Sequence, residues 1–259
     1  MNSVTIALCA AGLTFAGGVI GLILQRSLPE RFTTGGPRDM IGAVVGLLTL
    51  LSALVTGLLI WTAYGVYSSQ NLAVQNLAAR VLQEDLAFAD YGAGAEPGRA
   101  RLRASLERTV DQMWGPHDDD SDFVSRNLQA TIDNLRTGQD FLDSLRPSTE
   151  SQRQALAAAN QAHASVAQTR LQMALALTNP VSYPLLAIVI GWVVFLFCGF
   201  GLMSRSNPMA LAALGVGAAA VATAVYLIVD LSDPYSGLFR ASSAPIERVM
   251  KDVNNHEGR

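Results

Sequence analysis

Three hydroxyl side chains on a long uncharged segment are the first residues whose spacing suggests chemistry. Thr49, Ser52 and Thr56 follow each other at intervals of three and four residues, so a helix would carry them on one face. Such a face can line a wet pore and replace part of the hydration shell of an ion. Alternatively, each hydroxyl bonds a carbonyl of its own helix or a neighbouring membrane helix.

Acidic and aromatic residues stand at the ends of the apolar segments. Asp230 and Asp233 follow the last of these segments, and in an oligomer they would repeat as carboxylate rings at a pore mouth, which favours cations. Arg240 is a candidate partner for one of them. The alternative is that the two acids turn the chain before Pro234. Trp61 fits an interfacial aromatic belt, and the alternative for it is a gating constriction.

An acidic loop is the only stretch that resembles a metal site. Asp118, Asp120 and Asp122 are weak calcium candidates, because an EF-hand loop starting at Asp118 requires glycine at its sixth position and glutamate at its twelfth. Those positions hold Phe123 and Gln129. We therefore predict a solvated loop and assign no metal site.

The remaining chemistry-bearing residues form no motif. His117, His163 and His256 have no ligand spacing between them and are expected at the surface. Cys9 and Cys198 fall in apolar segments and are expected to pack as small residues. No catalytic triad, phosphate loop or dinucleotide fingerprint is present, so we predict no catalytic residue, no cofactor and no enzyme.

Four apolar segments must position these residues. About 20 apolar residues of helix cross a hydrocarbon core about 30 Å thick, and four segments meet this length. They predict transmembrane helices at 3–24, 40–65, 183–204 and 208–229. The first has no basic region before it, so we expect a retained span rather than a cleaved signal.

The polar sequence between the second and third spans repeats with helical period. We therefore predict an all-α polytopic membrane protein. A transmembrane hairpin at 1–67 precedes a helical soluble domain at 68–180, which is inserted between membrane helices 2 and 3. A second hairpin at 181–230 precedes a polar C-terminal tail at 231–259.

Glycine pairs at four-residue spacing occur in the first two spans. Gly17 and Gly21 form one pair, and Gly42 and Gly46 form the other. Small residues at this spacing let two helix backbones approach closely in lipid. We expect packing within the chain, with an oligomer contact as the alternative.

Charge gives the compartment and the orientation. The net charge of −3 offers no electrostatic support for binding nucleic acid. The four apolar spans predict that membrane lipid surrounds the protein. The two short loops carry four basic residues, and the C-terminal tail also carries four. Because the first hairpin usually dominates, Arg26, Arg31 and Arg38 of the first loop favour a cytoplasmic position for that loop. We thus expect a multi-pass protein of the plasma (inner) membrane with its helical domain and both termini outside.

Several stretches resemble the bestrophin-like membrane family, which is also described as a domain of unknown function. They are GLLTLLSALVTGLLIWTAYGVYSSQ, LAARVLQEDLAFADYGAGAEPGRARLR, FLFCGFGLMSRSNPMALAALG and YLIVDLSDPYSGLFRASSAPIERVM. The last carries the tail motif, Asp230 to Pro234, Gly237, Arg240 and Pro245. Ser232 replaces the acid found two residues before proline in the family. The resemblance implies a distant likeness to bestrophins, pentameric chloride channels with four spans and a helical soluble part.

Two functions are compatible with these features. The first is an oligomeric, bestrophin-like ion channel or pore, with inorganic ions and further copies of the chain as partners. The second is a non-conducting membrane scaffold or sensor whose helical domain binds a partner or ligand. The absence of an ionisable residue at the centre of any span argues against coupled transport.

Overall fold

The computed structural model describes residues 3–29, 35–115, 123–176, 183–204, 208–233, 235 and 237–255. Helix is the only regular structure among them, without a strand in any described range. The described α-helices are α1 (Ser3–Ser27), α2 (Gly36–Tyr91), α3 (Glu96–Trp114), α4 (Phe123–Ser144), α5 (Glu150–Ala176), α6 (Tyr183–Met203), α7 (Pro208–Leu231) and α8 (Ala244–Asn255). A short 3-10 turn, Ala93–Ala95, separates α2 from α3.

The chain divides into two compact units. The first comprises Met1–Val66 and Pro180–Ser232, and the second comprises Tyr67–Asn179 and Asp233–Arg259. Four helices are long and apolar enough to cross a membrane, namely α1, α2, α6 and α7. Four apolar spans and an all-helical chain therefore agree with the sequence prediction, and the protein is embedded in a membrane.

In the first unit, α1 packs against α6 through glycines. A Cβ added to Gly17 would lie 2.8 Å from the carbonyl oxygen of Val194, and one added to Gly21 would lie 2.1 Å from that of Cys198. Four residues separate the contacts on both helices in the same direction, so α1 and α6 run parallel. The glycines allow backbone contact, which strengthens dispersion attraction where lipid offers no hydrophobic driving force.

The other two membrane helices pack less closely. On α7, Leu214 lies against Gly18 of α1, while Val45 of α2 lies against Gly199 of α6. Near the end of α6, Arg38 donates a hydrogen bond to the carbonyl oxygen of Met203 at 3.3 Å. Only 11% of the most apolar window of α2 is buried within the chain, against 44% for α1. Most of the α2 membrane surface therefore requires lipid or another polypeptide to cover it.

The second unit is a helical bundle with two apolar clusters. One is centred on Leu77, Val81 and Met173, and the other on Phe88, Phe141 and Leu142. The helix α2 ends at Tyr91, where Gly92 has a φ of 94°, a conformation that side chains with a Cβ rarely adopt. Glycine thus provides the turn into α3.

The C-terminal tail packs onto this bundle. Trp114 Nε1 donates to the carbonyl oxygen of Ala241 at 2.7 Å, and Tyr235 Oη donates to Gln70 Oε1 at 2.7 Å. Burial raises the pKa of the Tyr235 phenol, so the hydroxyl stays a donor. On α8, Ile246 and Val253 are buried in the first cluster.

Candidate functional site

The three hydroxyls of α2 do not share one environment. Ser52 is 6% exposed, and its Oγ has no hydrogen-bond partner. Thr49 is exposed and donates to the carbonyl oxygen of Val45 at 2.8 Å, whereas Thr56 is half-buried. Ser52 thus lies on the face of α2 that packs within the chain, and Thr49 and Thr56 flank that face.

The candidates at the helix ends also differ in exposure. Trp61 is 73% exposed, as the end of an uncovered span allows. Asp230 is only 1% exposed, while Asp233 and Arg240 are exposed. A carboxylate open to solvent is therefore provided by Asp233 and not by Asp230.

The glycines of α2 and the acidic loop complete the predicted residues. A Cβ on Gly42 would meet only the flexible end of Met203, and one on Gly46 would meet nothing within 4 Å.

Asp118, Asp120 and Asp122, with His117 and His256, lie outside the described residues. Among the residues that are described, no cluster of three His, Cys, Asp or Glu side chains has the arrangement of a metal site.

The prediction that His163 lies at the surface is wrong. His163 is buried on α5, with Nδ1 2.9 Å from Glu84 Oε1 and Nε2 3.2 Å from the carbonyl oxygen of Leu135. A carbonyl and a carboxylate only accept, so the imidazolium form, with two N–H donors, satisfies both contacts. Burial lowers the pKa of His163, but the hydrogen bond and charge of Glu84 outweigh it and hold the pKa above 6.5.

A second buried charge lies on the same helix. Arg170 Nη1 donates to Ser105 Oγ at 3.0 Å, and Nη2 donates to Thr109 Oγ1 at 2.5 Å. Burial, assisted by repulsion from Arg108, lowers the pKa of Arg170 to about 10. Both hydrogen-bond acceptors of Arg170 are hydroxyl groups and carry no charge. No carboxylate among the described residues lies within ion-pair distance of its guanidinium.

An ion pair joins α2 to α3. Arg99 Nε donates to Asp85 Oδ1 at 2.8 Å, and Arg99 Nη2 donates to Oδ2 at 3.2 Å. This two-pronged contact is the main cause that raises the pKa of Arg99. Both side chains are nearly buried, and each charge compensates the desolvation of the other.

Apolar periodicity in the sequence did not indicate this buried polar group. On α2, Leu77, Val81, Glu84, Phe88 and Tyr91 are buried at intervals of three and four residues. Glu84 thus stands on the buried stripe of the helix. A carboxylate at a stripe position is the signal that would have indicated a buried partner on another helix.

Solved structures resemble the fold over nearly its whole length. A single-substitution variant of a bacterial bestrophin homologue from Klebsiella pneumoniae has a TM-score of 0.70 at 12% identity, covering 96% of this chain and 99% of its own. Another such variant has a TM-score of 0.66 at 14% identity, covering 98% and 99%. The same organism's homologue, phased with zinc, has a TM-score of 0.57 at 14% identity, covering 97% and 98%.

Sequence identities this low show a common fold but do not show a common activity or a common site. They define an all-helical membrane protein with the bestrophin fold. The Bestrophin-like domain matches residues 12–246, and the chain belongs to the Bestrophin-like family. The resemblance seen in the sequence is thereby confirmed. No curated protein matches the sequence significantly.

Proposed function

We propose that the protein is a passive ion channel formed by several copies of the chain, with α2 facing the conducting path. The observation that carries the proposal is the surface of α2, which the chain itself leaves largely uncovered in its apolar part. Membership of the Bestrophin-like family supports the same function by analogy of fold, while the site residues must carry the activity themselves.

The polar residues near this surface refine the proposed path. Thr49 and Thr56 are the hydroxyls that further copies of α2 would bring towards a symmetry axis, whereas Ser52 packs within the chain. The exposed Trp61 is the candidate for a constriction. Asp233 is the candidate for a carboxylate ring at the mouth, with exposed Arg240 as a nearby cation in the sequence.

Ion flux through proteoliposomes tests the channel. We expect purified protein to conduct, and a Thr56→Trp variant to lose at least about tenfold in flux, because an added indole occludes a narrow path. The matched control is Val216→Trp, which adds the same bulk to an exposed position on α7 and should leave the flux unchanged.

Two results would contradict the channel. Wild-type protein that passes no ion across a range of pH, calcium and voltage does not form an open pore. Equal losses in the Thr56→Trp and Val216→Trp variants would show that bulk in any span disturbs the protein, and would contradict the assignment of the path to Thr56.

A second function, a sensor whose helical domain binds a ligand, is favoured by one separate observation. The second unit contains a cavity lined by residues of α2, α3, α4 and α5. Among its charged or titratable residues, Glu84, His163 and Arg170 are buried, whereas Arg101 and Arg108 are exposed. Ligand pockets characteristically combine apolar walls with a few convergent polar groups. A protein that senses through this cavity need not conduct ions.

A further inference from the structure

The cavity of the second unit has room for a small molecule. Water-sized spheres can occupy about 80 Å³ inside it. One water requires about 10–15 Å³ of such space, so the cavity holds roughly five to eight waters or a ligand with a similar number of heavy atoms. Its walls include Gly138, where a Cβ would lie 2.5 Å from His163 Cε1. This glycine lets α4 approach α5 closely at the cavity.

Positive charge predominates on the cavity walls. Arg101, Arg108 and Arg170 line it together with one carboxylate, Glu84, and with His163. Arg108 donates from Nη1 to Asn134 Oδ1 at 2.7 Å, which is again an uncharged acceptor. Three arginines against one glutamate leave an excess of positive charge even when His163 is neutral. An anion in the cavity would reduce the repulsion among them.

One buried acceptor in the cavity lacks a hydrogen bond. Glu84 is 3% exposed, and its Oε1 accepts from His163, but its Oε2 has no partner. A buried carboxylate oxygen without a donor costs free energy, so such atoms are normally paired. Glu84 lines the cavity, but Oε2 itself has less than 1 Å² of accessible surface, so a ligand donor contacts it only when the carboxylate turns into the cavity. The cavity then offers a ligand two different polar contacts, a group of arginines for an anionic group and Oε2 for a donor.

The rest of the lining is apolar. Leu102, Leu106 and Val166 line the cavity beside the ring of Phe141. The guanidinium of Arg101 lies 5.1 Å from the centroid of that ring. A halide would satisfy the arginines but would leave both Oε2 and these walls without contacts. An organic anion can meet all three features.

We propose that this cavity binds a small organic anion of about six or seven heavy atoms that also carries a hydroxyl or amine donor. Its anionic group contacts Arg108 and Arg170, its donor contacts Glu84 Oε2, and its carbon skeleton packs against the apolar wall. The proposal concerns the helical domain and does not depend on ion conduction by the membrane helices.

Ligand-induced stabilisation of the purified full-length protein in neutral detergent tests the proposal. The probe is 3-hydroxybutyrate, which has a carboxylate, a hydroxyl and a short carbon chain. Butyrate lacks the donor, and 3-hydroxybutyramide lacks the charge. We expect the melting temperature to rise with millimolar 3-hydroxybutyrate, to rise less with butyrate, and not to change with the amide, because only a bound ligand stabilises the folded state.

Paired variants locate the binding. Arg170 is buried and its replacement risks misfolding, so the test uses Arg108→Gln, with Arg80→Gln as the control. Arg80 is exposed, lies outside the cavity and bonds only Gln83 among the described side chains. Arg108→Gln should weaken binding of 3-hydroxybutyrate about tenfold, the ratio expected from losing one charge-assisted hydrogen bond. Arg80→Gln should leave the affinity unchanged.

Four outcomes overturn the proposal. The first is no stabilisation by 3-hydroxybutyrate in the millimolar range. The second is equal stabilisation by the anion and the neutral amide, which would indicate a solvent effect. The third is equal loss of affinity in the two arginine variants, which would indicate binding to surface charge. An affinity for butyrate equal to that for 3-hydroxybutyrate would remove Glu84 Oε2 from the site.

Discussion

At the scale of single residues, the pairing of Glu84 with His163 is the contact with the clearest dependence on pH. The folded-state pKa of His163 lies above its ordinary value of 6.5. Protonated His163 therefore contributes stability that is fully present below about pH 6.5 and is lost as the pH rises through the folded-state pKa. The direction is opposite to that of a paired carboxylate, whose contribution is lost in acid.

We predict that a His163→Gln variant removes this part of the pH dependence. The melting temperature of the wild-type protein, followed by circular dichroism from weakly acidic to weakly alkaline pH, should fall more steeply than that of the variant. The control is Gln161→Ala, an exposed substitution on the same helix, which should keep the wild-type slope. Parallel curves for wild type and His163→Gln would show that His163 does not titrate between these limits.

At the residue level, prediction from the sequence failed where a distant partner decides the burial of a side chain. Trp61 at the end of a span is exposed, and both the aromatic belt and the constriction stay predictions for it. His163, by contrast, is buried, and Glu84, 79 residues away in the chain, accepts a hydrogen bond from its imidazole. No local pattern around His163 reports that partner. Leu72 and Leu86 fit the apolar period but are exposed, because the buried stripe of α2 passes beside them.

At the scale of elements, the contact of α1 with α6 depends on the absence of side chains. The Cβ of an alanine at position 21 would meet a backbone carbonyl oxygen, that of Cys198, at 2.1 Å. Because backbone cannot rotate away as a side chain can, the two helices must separate. Gly12, on the same helix, has nothing within 4 Å of an added Cβ.

We predict that Gly21→Ala destabilises the protein by about 1–3 kcal/mol, the usual range for overpacking a close contact. Gly12→Ala should be neutral or slightly stabilising, since alanine favours helix more than glycine does. Thermal denaturation of both variants in the same detergent provides the measurement. If the two substitutions changed the melting temperature equally, helix propensity rather than contact would explain the effect.

Local signals in the sequence set the helix boundaries. The second helix ends at Tyr91, beside Gly92 with its positive φ. The predicted span at 183–204 corresponds to Tyr183–Met203, and the predicted span at 208–229 to Pro208–Leu231. The pairing of helices was not predicted, because a glycine pair such as Gly42 and Gly46 has the same spacing as Gly17 and Gly21 but different surroundings.

At the scale of the whole molecule, the orientation in the membrane is the property that charge predicts. Basic residues of the first loop favour a cytoplasmic position for that loop, which leaves the helical domain outside. Both native cysteines lie in membrane helices and can be replaced by alanine. Single cysteines can then be introduced at exposed sites on either expected side.

We predict that a Ser151→Cys variant reacts with a membrane-impermeant maleimide in intact cells, because Ser151 is exposed on α5. The matched Ser27→Cys variant, at the loop end of α1, should react only after lysis. Labelling in the opposite order would reverse the orientation and place the helical domain in the cytoplasm.

The parallel contact of α1 with α6 also has a consequence for biosynthesis. Gly21 and Cys198 are roughly 180 residues apart in the chain, and a ribosome adds about 5–20 residues per second. The glycine face of α1 therefore waits roughly 10 to 35 s in the bilayer before its partner leaves the ribosome. During that interval lipid or an insertion chaperone must occupy it. Membrane assembly of this chain is consequently completed late, after the intervening domain has already been synthesised.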